Sequence, residues 1–212
     1  MVLDKQRTNI DPLLSIFAKH FKRLNPDVIS VVSLVFSVIA GLLFYLSTPE
    51  EELTNYFLYG ASFFVFLNGL FDAIDGKVAK MTNKTSAHGD FLDHVIDRYA
   101  DVFIVGGLAL STWCDLRIGF LAIIGMLLTS YMGTQSQAVG YKRNYSGLLG
   151  RADRLVLLMV APVLQHIFLV VDIQLPFGLN LLEYVLIYFA VIGNITALQR
   201  FLDTILWFRK NK

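Results

Sequence analysis

The sequence predicts an all-α integral membrane protein, with six transmembrane helices preceded by an amphipathic helix in the membrane interface. Three observations carry that expectation. The 212 residues are 55% hydrophobic, with a mean hydropathy of +0.58, above the apolar share of a soluble domain. Several apolar stretches have the roughly 17 to 25 residues that cross a bilayer. The lysines and arginines gather between alternate stretches, as membrane topology requires.

Residues 1–27 read as an N-terminal cytoplasmic segment. From Pro12 to Phe21, apolar residues recur at helical spacing beside Lys19 and His20, the pattern of a helix lying in the interface, with Asp11 as its expected N-cap. Asn25-Pro26-Asp27 breaks this helix and starts the next. No apolar core precedes residue 28, so no cleavable signal is expected and the first span serves as its own insertion signal. Residues 28–212 read as one domain, with spans over 28–46, 56–78, 89–112, 118–139, 154–171 and 180–207. Cys114 is the single cysteine, which excludes an intrachain disulfide and a cysteine-based metal site.

Charge orients the chain. Of the 18 lysines and arginines, Arg117 alone falls on one side of the predicted topology. The loops on that side carry Glu50, Glu51, Glu52, Asp115, Asp172 and Glu183, so the positive-inside rule puts both termini at the cytoplasmic face. A net charge of +1 offers no case for a nucleic-acid partner.

Asp72, Asp75, Asp93 and Asp97 stand where the second and third spans meet that face. Carboxylates beside apolar helices are costly and mark function. Spacings of three and four put each pair on one helix face, so two adjacent helices can bring four carboxylates to one point. Hard oxygen ligands of this kind suit Mg²⁺ or Mn²⁺, and a two-metal site is expected. Asp90, Asp101, His88 and His94 lie close by and read as solvated or supporting groups.

These residues carry a resemblance. The pattern Asp-x2-Asp-Gly-x2-Ala-Arg-x8-Gly-x3-Asp-x3-Asp defines the CDP-alcohol phosphotransferases. The sequence meets it at Asp72, Asp75, Gly76, Ala79, Gly89, Asp93 and Asp97, with Lys80 in place of the arginine. The resemblance implies transfer of a phosphatidyl-type group from a CDP-linked lipid to an alcohol, with release of CMP. It implies that Asp72, Asp75, Asp93 and Asp97 bind metal, that Asp97 is the general base, and that the enzyme is a homodimer among membrane lipids. Asp72, Gly76, Ala79, Lys80, Asp27 and Ser30 are then expected around the CDP-lipid. Lysine at position 80 keeps the charge but lacks the planar fork of arginine.

The segment from Tyr141 to Arg154 places four cations near the expected site. Together with Ser130-Tyr131, Thr134 to Ala138 and Asp97 to Asp101, it is similar to the branch of the family that uses inositol 1-phosphate. That branch implies acceptor contacts from Lys142, Arg143, Arg151, Arg154 and Arg200. Glycerol 3-phosphate would suit the same cations, and serine is a further acceptor of the same chemistry. A surface loop binding acidic lipid heads is the bland alternative for the basic segment. In a different class, a cation-coupled transporter would place its carboxylates near the bilayer midplane within repeated halves, and no repeat is visible here.

Overall fold

A computed structural model describes residues 7–50, 52–142 and 144–211 of the chain. The described residues are helical apart from short connections. In chain order the helices are α1 (Arg7–Phe21), α2 (Pro26–Leu46), α3 (Glu52–Asn55), α4 (Phe57–Met81), α5 (Ala87–Ala109), α6 (Leu116–Ala138), α7 (Arg151–Val170) and α8 (Leu181–Lys210). A short 3₁₀ turn over Pro176–Gly178 precedes the last.

Local chemistry sets the ends. Pro26 occupies the first turn of α2, where its missing N–H costs nothing, and Asn25 Oδ1 accepts the Asp27 N–H at 3.3 Å. Ser86 Oγ accepts the Gly89 N–H at 3.0 Å and starts α5. Asp115 does the same for α6 through the Arg117 N–H at 2.8 Å. Asp153 Oδ2 accepts the Gly150 N–H at 3.0 Å and secures the entry to α7. One expected cap differs. Helix α1 extends back to Arg7, and Asp11 sits within it, where it accepts from Lys77 Nζ of α4 at 2.7 Å instead of capping. A charged partner on a neighbouring helix outweighs a cap to backbone N–H groups already bonded within the helix.

Helices α2, α4, α6, α7 and α8 are long and apolar enough to cross a membrane. Their exposed faces carry Val31, Val35 and Leu42 on α2, Phe63 and Phe66 on α4, Phe120 and Leu121 on α6, and Val191 and Leu198 on α8. Apolar residues so consistently outward define an integral membrane protein, because lipid is the only solvent in which that surface is favourable. Helix α5 matches them in length, but its first half carries Asp90, Asp93, Asp97, Arg98 and Asp101, so it falls outside the apolar set.

Helix α2 packs against α4 and α5, and α6 packs against α8, with α7 touching both α4 and α8. Glycines permit the closest approaches. A Cβ on Gly107 of α5 would collide with the backbone of Gly41 on α2, and one on Gly41 with the carbonyl of Phe103. Such small-residue contacts let helix backbones meet where hydrophobic burial gives little drive. The main core gathers Phe44, Leu58, Leu108, Trp113, Met126, Leu158, Leu182 and Phe189. A smaller cluster of Ala18, Ile29, Ile74 and Val78 seats α1 on α2 and α4 beside the aspartates.

Candidate active site

The last turns of α4 and the first turns of α5 place the four motif aspartates side by side. Asp72, Asp75 and Asp93 each offer an oxygen, and these atoms all lie within 4.8 Å of one another. Asp93, His94 and Asp97 form a second such group under the same limit. Asp93 belongs to both groups, and hard carboxylate oxygens of this kind fit a hard divalent cation. Asp75 is buried and accepts a short 2.5 Å hydrogen bond from Ser30 Oγ of α2, which fixes its outer oxygen. The His94 ring lies 3.4 Å from Asp90 and 3.7 Å from Asp93.

Arginines face these carboxylates from α5 and α7. Arg151 Nη1 donates to Asp72 Oδ2 at 2.8 Å and lies 2.7 Å from Asp97 Oδ1. Arg98 Nη2 donates to Asp97 Oδ2 at 3.3 Å, and its Nη1 donates to Ser130 Oγ of α6. Behind them Asp101 is almost fully enclosed, 4% exposed, and accepts from Arg154 Nη2 at 2.7 Å. Arg151 Nε and Arg98 Nη2 approach the same carboxylate at 3.6 and 3.9 Å. Arg200 of α8 donates from Nε to the Ser146 carbonyl at 2.8 Å and from Nη1 to the Thr129 carbonyl at 2.6 Å, tying the α6–α7 connection to α8.

One cavity of about 1510 Å³ joins these groups. Asp72, Asp75, Asp93, Asp97, Gly76, Arg151, Arg154 and Arg200 all line it, as do Arg98 and Ser130. Its wall continues to Phe66, Tyr99, Tyr131 and Val156, on faces otherwise turned outward, so the cavity reaches from the charged groups to the lipid side. Gly76 is exposed with open space where a Cβ would stand.

The other sequence-derived site residues stand apart from that lining. Ser30 lies one layer behind it, on Asp75. Lys80 is exposed near the C-terminus of α4, with Ala79 half-buried beside it. Asp27 Oδ2 faces His88 Nδ1 at 3.9 Å. Lys142 lines a separate pocket of about 660 Å³ with Tyr141, Trp207 and Lys210, and its Nζ stands 5.9 Å from the Tyr141 ring centroid. Asn144 and Tyr145 line both cavities and form the wall between them. Arg143 lies outside the described residues.

Sequence reasoning gave Arg98 no site role of its own and took Asp101 as a solvated or supporting group, and the structure encloses Asp101 as the partner of Arg154. The signal was present, since Asp101 follows Asp97 by one helical turn and so shares its face. Nothing in the spacing, however, announces that two arginines of α7 converge there.

Carboxylates from α4 and α5, opposed by arginines in a cavity open to lipid, define a helical membrane protein that handles a charged, lipid-linked ligand. The CDP-alcohol phosphatidyltransferase family profile matches residues 23–198, and the chain belongs to that family and is an enzyme of its class. It is 28% identical over 162 residues to an archaetidylinositol phosphate synthase of Pyrococcus horikoshii, covering 76% of this chain and 81% of that one. It is 32% identical over 149 residues to a phosphatidylinositol phosphate synthase of Streptomyces avermitilis, covering 65% of this chain but 56% of the relative. Crystal structures of the Mycobacterium tuberculosis phosphatidylinositol phosphate synthase share the fold. The form with CDP-DAG bound gives a TM-score of 0.71 at 23% identity, covering 91% of this chain and 94% of that one. The form with manganese and citrate gives 0.71 at 24%, covering 91% and 88%.

Proposed function

We propose that this enzyme transfers the phosphatidyl or archaetidyl group of a CDP-linked lipid to a hydroxyl of inositol 1-phosphate, releasing CMP on the cytoplasmic side. The observation that carries the reading is the single cavity in which the motif aspartates, four arginines and a route to lipid meet. Similarity to an archaetidylinositol phosphate synthase and a phosphatidylinositol phosphate synthase supports the choice of substrate.

Asp72, Asp75, Asp93 and Asp97 would hold the Mg²⁺ or Mn²⁺ ions. Those ions would neutralise the diphosphate and the departing CMP. Gly76 leaves room for the cytidine against the α4 backbone, and Lys80 supplies charge toward the diphosphate. Asp27 and Ser30 complete that end, Ser30 by orienting Asp75. The acceptor oxygen attacks the phosphorus that carries the lipid, the bond to the bridging oxygen breaks, and CMP leaves with that electron pair. Asp97 takes the proton from the attacking hydroxyl. Arg151, Arg154 and Arg200, which line the cavity, hold the acceptor phosphate near this point. Holding the hydroxyl in line matters because water in the same cavity competes for the phosphorus.

The same reading takes α5 as a sixth span. Its 23 residues reach about 34 Å at the rise of an α-helix, enough to cross the hydrocarbon layer. Its charged half borders the cavity and its remainder, from Val102 to Ala109, is apolar. Helix α1 is then the interfacial helix. The family resemblance also supports a homodimer, which the mass of the protein in detergent would test.

The deciding experiment is CMP release by purified protein from a CDP-linked lipid with Mg²⁺ or Mn²⁺. The acceptor panel is inositol 1-phosphate, glycerol 3-phosphate, serine and free inositol. Turnover with inositol 1-phosphate is the expected result. Turnover with another acceptor keeps the aspartate chemistry and discards the substrate, while none with any acceptor removes the reading.

A further inference from the structure

Arg151 occupies the position between two motif carboxylates that a divalent cation would also seek. A single nitrogen, Nη1, stands 2.8 Å from Asp72 Oδ2 and 2.7 Å from Asp97 Oδ1, bridging α4 and α5 between two carboxylates that would otherwise be free to ligate a cation. The arrangement leaves much unsatisfied. Nη1 is aligned for a hydrogen bond to Asp72, whereas Asp97 Oδ1 is buried and receives no aligned bond despite its proximity. The Nε and Nη2 donors of Arg151 are also buried without a hydrogen-bond acceptor, Nε lying 3.6 Å from Asp101. Buried donors left unpaired are costly, so this is one resting place of a guanidinium that has a better one. A phosphate in the same cavity offers two oxygens that the planar fork of Nε and Nη2 can engage together.

We infer that Arg151 is an exchangeable counter-ion: it neutralises Asp72 and Asp97 when the metal is absent, and metal binding displaces its guanidinium into the cavity, where it can take the acceptor phosphate. The inference rests on the proposed metal-dependent transfer and adds an order to it. Asp97 is the residue most affected. Its Oδ2 accepts from Arg98 at 3.3 Å and its Oδ1 faces Arg151, so both oxygens are engaged and neither is open to a hydroxyl. Departure of Arg151 frees Oδ1. Asp101 serves as the pivot, since it faces Nε and leaves the far end of the side chain to swing. Metal and acceptor phosphate then favour each other's binding through one side chain, and that coupling is reciprocal.

The test is Mn²⁺ binding, followed by the loss of the free-ion electron spin resonance signal as detergent-purified protein is titrated, with and without inositol 1-phosphate. Arg151→Gln should bind Mn²⁺ tighter than the wild type by roughly 5- to 150-fold, the usual range of such coupling. Inositol 1-phosphate should tighten Mn²⁺ binding to the wild type and have little effect in Arg151→Gln. Arg151→Lys, which keeps the charge without the planar fork, should fall between, and it serves if the glutamine variant fails to fold. Arg98→Gln removes equal charge beside Asp97 while leaving the Asp72–Arg151–Asp97 bridge in place, and should tighten binding much less. Equal or weaker Mn²⁺ affinity in Arg151→Gln overturns the exchange, as does an equal gain in Arg98→Gln, which would reduce the effect to local charge. Tightening without any response of the wild type to inositol 1-phosphate overturns the link to the acceptor. No uptake of Mn²⁺ by any of these proteins removes the metal-dependent reading itself, and the exchange with it.

Discussion

Asp97 and Asp101 are one helical turn apart on α5, yet their surroundings assign them different work. Asp97 borders the cavity beside Asp72 and Asp93, close to where an acceptor hydroxyl would approach. Asp97→Asn keeps the shape and a weak ligand oxygen but cannot accept a proton. The expected result is a fall in kcat of about 10² to 10⁴-fold, the usual contribution of a positioned base, with nucleotide binding retained. Loss of CDP binding in that variant would instead make Asp97 chiefly a binding residue. Asp101 is 4% exposed and its partner Arg154 3%, so their ion pair is shut from solvent. Asp101→Asn should therefore destabilise the fold by roughly 3 to 5 kcal/mol, the cost of stranding a buried partner charge. Thermal unfolding in detergent measures it, and a change under about 1 kcal/mol would mean solvent screens the pair as it does at a surface. The four motif aspartates were legible from spacing alone, because helical periodicity turns intervals of three and four into a shared face. The Ser30–Asp75 and Arg154–Asp101 contacts were not, since they join residues 45 and 53 positions apart, and only the packing of α2 and α7 creates them.

At the scale of helices, Gly106 and Gly107 sit side by side on α5 and make opposite predictions. A Cβ at Gly107 would strike the Gly41 backbone, which cannot move without separating α2 from α5. Gly107→Ala should cost about 1 to 3 kcal/mol, the range for overpacking a tight contact. No atom lies within 4 Å of a Cβ at Gly106, so Gly106→Ala should be neutral or stabilising by up to about 1 kcal/mol, from helix propensity. Melting temperatures of the two variants decide between this crossing and any other register of the pair, which would not separate adjacent glycines. The helices themselves follow the sequence closely. Each long helix falls within three residues of its expected span at both ends, because Asn25, Ser86 and Asp115 are caps readable one residue at a time. The extra length of α1 was not readable, since the pairing of Asp11 with Lys77 depends on where α4 lies. Composition also hides α5 from any hydropathy criterion, as its cavity-facing charges offset its apolar half.

For the whole molecule, the decisive question is which face of the membrane holds the cavity, and the chain carries its own means of asking. All the basic residues but Arg117 fall on the cavity side of the predicted topology, so the positive-inside rule predicts a cytoplasmic cavity, an expectation that labelling can test. Cys114 lies on the opposite side, in the turn between α5 and α6. Burial pushes its thiol up to about 12, with the Glu183 charge adding to the effect. At neutral pH it stays protonated and should react poorly with a maleimide, since the thiolate is the nucleophile. The natural cysteine thus gives a low background against which single exposed cysteines can be read. Gln174→Cys, in the exposed connection before α8, should be labelled by a membrane-impermeant maleimide in intact cells. Asn211→Cys, just past the end of α8, should be labelled only after the membrane is opened, because the 30-residue α8 carries the chain across. The reverse pattern would place the aspartates outside the cell, away from any cytoplasmic supply of CDP-lipid and inositol phosphate, and would remove the proposed reaction. Labelling of both in intact cells would break α8 as a span, and with it the even number of crossings that puts both termini on one side.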